Sequence, residues 1–179
     1  MLRKVKTVPR RLVVGVLRVY YCLRIAMLRV IVGEKAAAYV LYDCLAQRIV
    51  LEIGGAVIGS HVRINRWLDL HETRGSFRNL RIGDDVHIGK HVLIDLSAEV
   101  TIGNRVGVGM YAKIFTHQNL GDSLLSDTYT KIVGPLEIPD DAVVSSGAML
   151  LFPTRLAPRT LVSAGSVVRG EYAEPCVLV

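Results

Sequence analysis

The stretch from Ile138 to Val168, IPDDAVVSSGAMLLFPTRLAPRTLVSAGSVV, places an aliphatic residue at every sixth position: Ile138, Val144, Leu150, Leu156, Val162 and Val168. Four places after each of the first five stands a small or β-branched residue, Ala142, Ala148, Thr154, Thr160 and Ser166. A helix of period 3.6 does not generate this beat, and neither does a free strand of period 2. A chain wound into stacked polygonal coils does, with sides of about six residues.

Working outward, the same frame appears in Ile58 and Ile64, in Ile82, Ile88 and Ile94, and in Ile102, Val108 and Ile114. The associated fifth positions are Val62, Leu68, Val86, Val92, Ala98, Val106 and Ala112. Each side therefore contributes one aliphatic knob to the interior and one smaller residue at the corner. Between Ile94 and Ile102 the interval is eight, which predicts that two residues bulge out there. Ile114 and Ile138 lie 24 apart, a multiple of six, but Asn119 to Gly134 lacks the pattern and reads as an excursion that leaves the wall just after His117. The division is an N-terminal helical segment over 1–50 and an all-β solenoid over 51–179, with an excursion loop at 118–135. Parallel strands in such a coil stack at ~4.8 Å, so stability is nearest-neighbour and additive. Gly59, Gly83, Gly89, Gly103 and Gly109 are expected at corners that need positive φ.

The chain has 179 residues, 51% of them hydrophobic, and a formal net charge of +6. Eight basic residues, Arg3, Lys4, Lys6, Arg10, Arg11, Arg18, Arg24 and Arg29, precede the first acid, Glu34. That leaves 14 of the 22 basic side chains against all 16 acidic ones, so the solenoid is not a nucleic-acid surface. Arginines break the apolar run between Arg11 and Val32 below the ~20 residues that a span requires. They also argue against a secretory signal. On a helical wheel Arg11, Arg18 and Arg29 share one stripe, and Leu12, Val13, Val16, Leu17, Tyr20, Leu23, Met27 and Leu28 occupy the opposite faces. Such a basic amphipathic helix suits an anionic bilayer surface, or it packs on the solenoid end or a neighbouring subunit. Pro9 limits where it begins. A second helix is expected from Glu34 to about Gln47, where Ala36, Ala37 and Ala38 favour it.

Cys22, Cys44 and Cys176 are odd in number and far apart, which fits reduced thiols in the cytoplasm. His61, His71, His87, His91 and His117 lack the spacing that brings imidazoles onto one tetrahedral metal centre, and no metal is expected.

Three segments carry a resemblance: IGDDVHIG at 82–89, IGNRV at 102–106 leading to IFTH at 114–117, and SAGSVV at 163–168. With the sixfold beat they make the chain resemble the hexapeptide-repeat acyltransferases, which include sugar O-acetyltransferases and serine acetyltransferases. The resemblance implies a left-handed parallel β-helix, a hand that departs from the usual right-handed rule for parallel crossovers. It implies a homotrimer and an acetyl-CoA-dependent O-acetyltransferase acting on a sugar or saccharide hydroxyl, as in polysaccharide biosynthesis. In the family signature Ile-x-Thr-His the histidine is the base, and His117 matches it. Imidazole titrates near neutrality, as removal of a hydroxyl proton requires. Asp95 matches an acidic residue near the acceptor end, where it orients a sugar hydroxyl or His117. Thr116 and Asn119 are the other acceptor-side candidates. Coenzyme A contacts carry over to Ser145, Ser146, Gly147, Ala148, Ser163, Ala164 and Gly165, with Arg169 placed to meet phosphates. The family's Asp-x-Trp-Ile-Gly is replaced by Asp141-Ala142-Val143-Val144-Ser145, and the chain lacks the Asn-Pro-Ala-Lys tail of relatives. Serine acetyltransferases match less well, because their long helical region and His-rich signature are missing. The alternative of another class is a non-catalytic solenoid scaffold.

Overall fold

The computed structural model describes residues 9–33, 36 and 47–179, which form a left-handed parallel β-helix of about six coils behind a helical N-terminal segment. Three flat faces repeat in each coil. The first is built from Val57–Ile58, Leu80–Ile82, Val100–Ile102 and Leu136–Ile138. The second is built from Arg63–Ile64, His87–Ile88, Gly107–Val108, Val143–Val144, Leu161–Val162 and Val177–Leu178. The third is built from Asp69–His71, Leu93–Asp95, Lys113–Phe115, Met149–Arg155 and Val167–Glu171.

The sixfold aliphatic residues stack directly over one another. Ile64, Ile88, Val108, Val144, Val162 and Leu178 form one column. Leu70, Ile94, Ile114, Leu150 and Val168 form another. Most of these side chains are fully buried. Burying each contributes about 1.5–3 kcal/mol relative to exposure.

The corner glycines serve a different purpose from the one expected. Gly59, Gly83, Gly89, Gly103 and Gly109 do not have positive φ; the corners turn instead at His61, Trp67, Asp85, His91, Arg105, Tyr111, Asp141, Gly147, Arg159 and Gly165, with φ between 54° and 74°. What requires glycine at the five positions is close coil contact. A Cβ on Gly103 would lie 2.7 Å from Asp140 N and 2.9 Å from Pro139 C, and one on Gly83 would lie 2.8 Å from the Gly103 carbonyl oxygen.

At the turning positions like stacks on like. Trp67, His91 and Tyr111 form a ring ladder with centroids 4.6 and 4.9 Å apart. At the neighbouring corner Arg105 holds Asp141 through two bonds of 2.6 and 2.9 Å, which lowers the Asp141 carboxyl below its ordinary range.

The eight-residue interval also behaves differently. Asp95 and Leu96, the residues after Ile94, are buried rather than bulged outward. Asp95 stands in register with His71, and Leu96 N donates to the His71 carbonyl in the coil below, so the strand continues past Ile94 before the chain reaches the less buried Ser97 and Ala98. The excursion is a closed arm. His117–Gln118 pairs antiparallel with Ile132–Val133 at its base, and a short 3-10 helix, Leu124–Asp127, lies at its tip.

Helix α1, Arg10–Val32, begins directly after Pro9, whose carbonyl accepts from Leu12 N. Helix α2, Gln47–Ile53, buries Ile49, Val50 and Leu51 at the base of the first coil. Tyr21 and Ile25 of α1 are buried and Leu17, Leu28 and Val32 partly so, while Arg18 reaches Glu52 of α2 at 2.6 Å. One apolar face of α1 thus packs inward, whereas Leu12, Val13, Val16, Tyr20, Leu23 and Met27 remain exposed. Among the described residues no helix is long and apolar enough to cross a membrane. Arg3, Lys4, Lys6, Cys44 and nearly all of the helix expected over 34–47 lie outside the described residues.

These contacts separate two glycines that look alike in sequence. A Cβ on Gly107 would meet only Val143 side-chain atoms at 4.0 Å. Gly103→Ala is expected to lower unfolding stability by ~1–3 kcal/mol through overpacking, and Gly107→Ala to shift it by less than ~0.5 kcal/mol, measured by urea denaturation.

Candidate active site

The continuation of the strand past Ile94 places Asp95 beneath the point where the next coil leaves the wall. Its carboxylate is buried, and every hydrogen bond to it comes from one corner. Oδ1 accepts from Ser97 N and Ser97 Oγ, both at 3.1 Å. Oδ2 accepts from Thr116 N at 2.9 Å, Thr116 Oγ1 at 2.7 Å and His117 Nδ1 at 2.6 Å. Burial by itself pushes this carboxyl up, but the bonds from His117, Thr116 and the Ser97 amide together outweigh it and hold the group below its ordinary value of 3.8.

An ionised carboxylate only accepts, so the ring nitrogen facing it must carry the proton. Nδ1 of His117 is therefore the donor, and Nε2 is left as the proton acceptor in the neutral ring. Ser97 Oγ also lies 3.0 Å from His117 Nδ1, which fixes the imidazole from a second side. The His117 side chain is 19% exposed and Asp95 1%, so the imidazole reaches solvent while its partner does not. That combination can remove a proton from a bound hydroxyl.

His117 lines a cleft of about 320 Å³ together with Phe115, Gln118, Asn119, Phe152 and Arg169. Arg169 extends over the Phe152 ring, with its Cζ 5.9 Å from the centroid. This basic residue, expected along the coenzyme wall, shares the cleft of His117. Asn119 also reaches it, although its Oδ1 is engaged by Gly121 N at 3.2 Å.

The remaining candidates divide differently. Thr116 is buried with its hydroxyl committed to Asp95, and Asp95 itself has no exposed surface. Neither side chain can touch an acceptor; both position His117. Ser145 and Ser146 line a separate groove of about 450 Å³ on the second face, with Asn65, His87, Lys90 and Met110. Ala148 is buried. The amides of Gly147, Ser163 and Gly165 already donate to the carbonyls of Met110, Leu178 and Ser146, so coil stacking consumes them. Ala164 is exposed one coil above Ser146. One strand, Met149–Arg155, links this corner to the His117 cleft: Met149 begins it beside the corner and Leu151, two residues on, lines the cleft.

Sequence reasoning missed Ser97, Phe152 and Gln118. For Ser97 a signal existed, since it falls inside the only eight-residue interval of the early coils. The other histidines are wall residues: His61 pairs with Asp85 at 3.2 Å, His87 with Asn65 at 3.0 Å, and His91 stacks between Trp67 and Tyr111. Among the described residues no three His, Cys, Asp or Glu side chains converge as a metal site.

No family model and no curated protein matches the sequence. Solved structures match the fold. A hexapeptide-repeat-containing acetyltransferase from Vibrio cholerae O1 biovar eltor, complexed with acetyl coenzyme A, is 20% identical with a TM-score of 0.57, over 80% of this chain and 79% of that one. A maltose O-acetyltransferase from Clostridium difficile 630 is 16% identical with a TM-score of 0.61, over 91% of this chain and 80% of that one. The chain has the fold of these acetyltransferases.

The depressed carboxyl of Asp95 sets a pH dependence of stability. Its folded-state value lies below its unfolded one, so its contribution is fully present above about 3.8 and is lost as pH falls through the folded-state value. Wild type is expected to exceed Asp95→Asn in urea midpoint at pH 7, with the gap closing only below pH ~3.8. A gap of the same size in strong acid would show that the carboxylate is not held ionised in the folded state.

Proposed function

We propose that the protein transfers an acetyl group from acetyl-CoA to a hydroxyl of a sugar or saccharide intermediate, with His117 as general base. The observation that carries the reading is the buried Asp95 bonded to His117 Nδ1 at 2.6 Å, which presents Nε2 to a cleft on an acetyltransferase fold.

In the proposed step the acceptor hydroxyl gives its proton to Nε2 as its oxygen bonds to the thioester carbonyl carbon. The carbon–sulfur bond then breaks, and the departing thiolate takes the proton back from the imidazolium. The thiolate is a good leaving group, so no acyl-enzyme is needed. Asp95 stabilises the transient imidazolium and keeps the ring in one tautomer, while Ser97 Oγ, 3.0 Å from Nδ1, gives the ring a second contact. Arg169, mounted on Phe152, supplies a positive charge beside the reacting groups, where it can meet a phosphate of the donor or an anionic acceptor.

A homotrimer completes the cleft in this reading. The arm exposes Leu124, Leu125, Tyr129, Ile132 and Val133. A second wall facing that arm would cover these side chains and deepen the site. The exposed face of α1 supports a peripheral position on the cytoplasmic side of an anionic membrane, where saccharide intermediates are presented.

His117→Ala is expected to lower kcat by ~10²–10⁴ while the chain still unfolds cooperatively, with a lowered melt because the buried Asp95 loses one of its hydrogen bonds, measured by thiol release from acetyl-CoA against a panel of nucleotide sugars and lipid-linked saccharides. Near-normal turnover by that variant would remove the catalytic assignment and leave a scaffold.

A further inference from the structure

We infer that three arginines at the base of the solenoid form a binding pocket for the phosphate of an anionic phospholipid headgroup. Arg29, Arg74 and Arg78 line one cavity of about 520 Å³, together with Ser76 and the backbone of Gly54 and Gly55. Among the described residues no Asp or Glu lines it. Among the described residues none of the three guanidinium groups is hydrogen-bonded or ion-paired to the protein, whereas Arg18, Arg48, Arg81, Arg105 and Arg155 all meet carboxylates. Three unneutralised cations around one cavity repel one another. An anion of compact, multidentate geometry relieves that repulsion, and a phosphate accepts paired guanidinium donors.

The pocket adjoins α1, which points to the source of the phosphate. At 100° per residue, Leu12, Val13, Val16, Val19, Tyr20, Leu23, Ala26, Met27, Val30 and Ile31 fall within about 140° of the wheel, with no charge among them. All ten are exposed, Met27 at 73% and Val30 at 88%. Arg11, Arg18 and Arg29 border the stripe on one side and Arg24 on the other. Such a helix lies in a bilayer interface with its apolar stripe among the acyl chains and its arginines at headgroup level. Arg29 belongs both to that border and to the pocket wall. A headgroup beside the embedded stripe is therefore carried to Arg74 and Arg78, and the solenoid is held with its base toward the membrane.

The inference rests on the membrane-facing reading of α1 and is independent of acetyl transfer. Co-sedimentation of the full-length chain with phosphatidylcholine vesicles, with and without phosphatidylglycerol, tests it. Wild type should bind the anionic vesicles and lose them at high salt. Arg74→Gln/Arg78→Gln should bind roughly 30-fold more weakly, about fivefold per charge, with an unchanged melt. If that double variant melts lower, Arg29→Gln at an exposed position gives the same reading through an approximately fivefold loss. Wild-type binding by the arginine variants, combined with loss in Leu23→Ser/Met27→Ser, would overturn the pocket and leave the membrane-facing helix standing. Failure of wild type to bind would overturn both. Titration with inorganic phosphate and glycerol phosphate separates the sources: saturable binding of inorganic phosphate without vesicle binding assigns the pocket to a soluble ligand and overturns the lipid.

Discussion

Everything in this molecule depends on stacking parallel coils at the hydrogen-bonding spacing of strands, ~4.8 Å. At that distance each residue has its counterpart from the next coil directly above it, so one choice at a given angle around the coil is repeated or answered vertically. Aliphatic side chains line up inward, and rings or opposite charges line up at the corners. Where backbones approach most closely only glycine fits, since a Cβ on Gly83 would strike the carbonyl of Gly103. The wall is thus a set of columns rather than a single centre of packing.

The site exists where this rule is broken. Two residues more than the repeat requires lie between Ile94 and Ile102, and at the start of that longer interval the wall buries the Asp95 carboxylate. Desolvating it would cost several kcal/mol if it were unpaired. Ser97, Thr116 and His117 offset that cost, and in doing so they fix one imidazole at the edge of a cleft. The residues that satisfy the buried charge are the ones that orient His117, so stability and the proposed proton transfer draw on the same bonds. Placing the arm directly after His117 leaves the outer side of the ring free of the next coil.

The repeat was legible because its period belongs to neither a helix nor an ordinary strand. Ile138 to Val168 alone fixes the coil, and the columns follow from counting. His117 was legible through its position at the end of the beat. Asp95 was expected to orient either a sugar hydroxyl or His117, and in the structure it is bonded to His117. The roles of Gly83 and Gly103 were misread because a glycine's reason, positive φ or close approach, depends on the neighbouring coil and not on its own segment. Burial at Asp95 and Leu96 was missed for a related reason: an interval of eight shows that the chain is longer there, not which way it turns. Ala148 and the amides of Gly147 and Gly165 were counted as available for a ligand, yet Ala148 is buried and the hydrogen bonds that spend the two amides run to Met110 and Ser146, 37 and 19 positions away.

Eight of the ten turning corners hold a residue other than glycine at positive φ, a conformation costing of order 1 kcal/mol or more in isolation. What keeps such side chains there is the partner one coil away. Arg105 is justified by Asp141, and His91 by Trp67 below and Tyr111 above. The fitness of such a corner residue is therefore conditional on an amino acid 20, 24 or 36 positions distant, and drift in the sequence must move along columns instead of within segments. Divergence between homologues should leave its record as covarying pairs at those long separations, so that wall chemistry is inherited vertically while the linear motif around each corner decays.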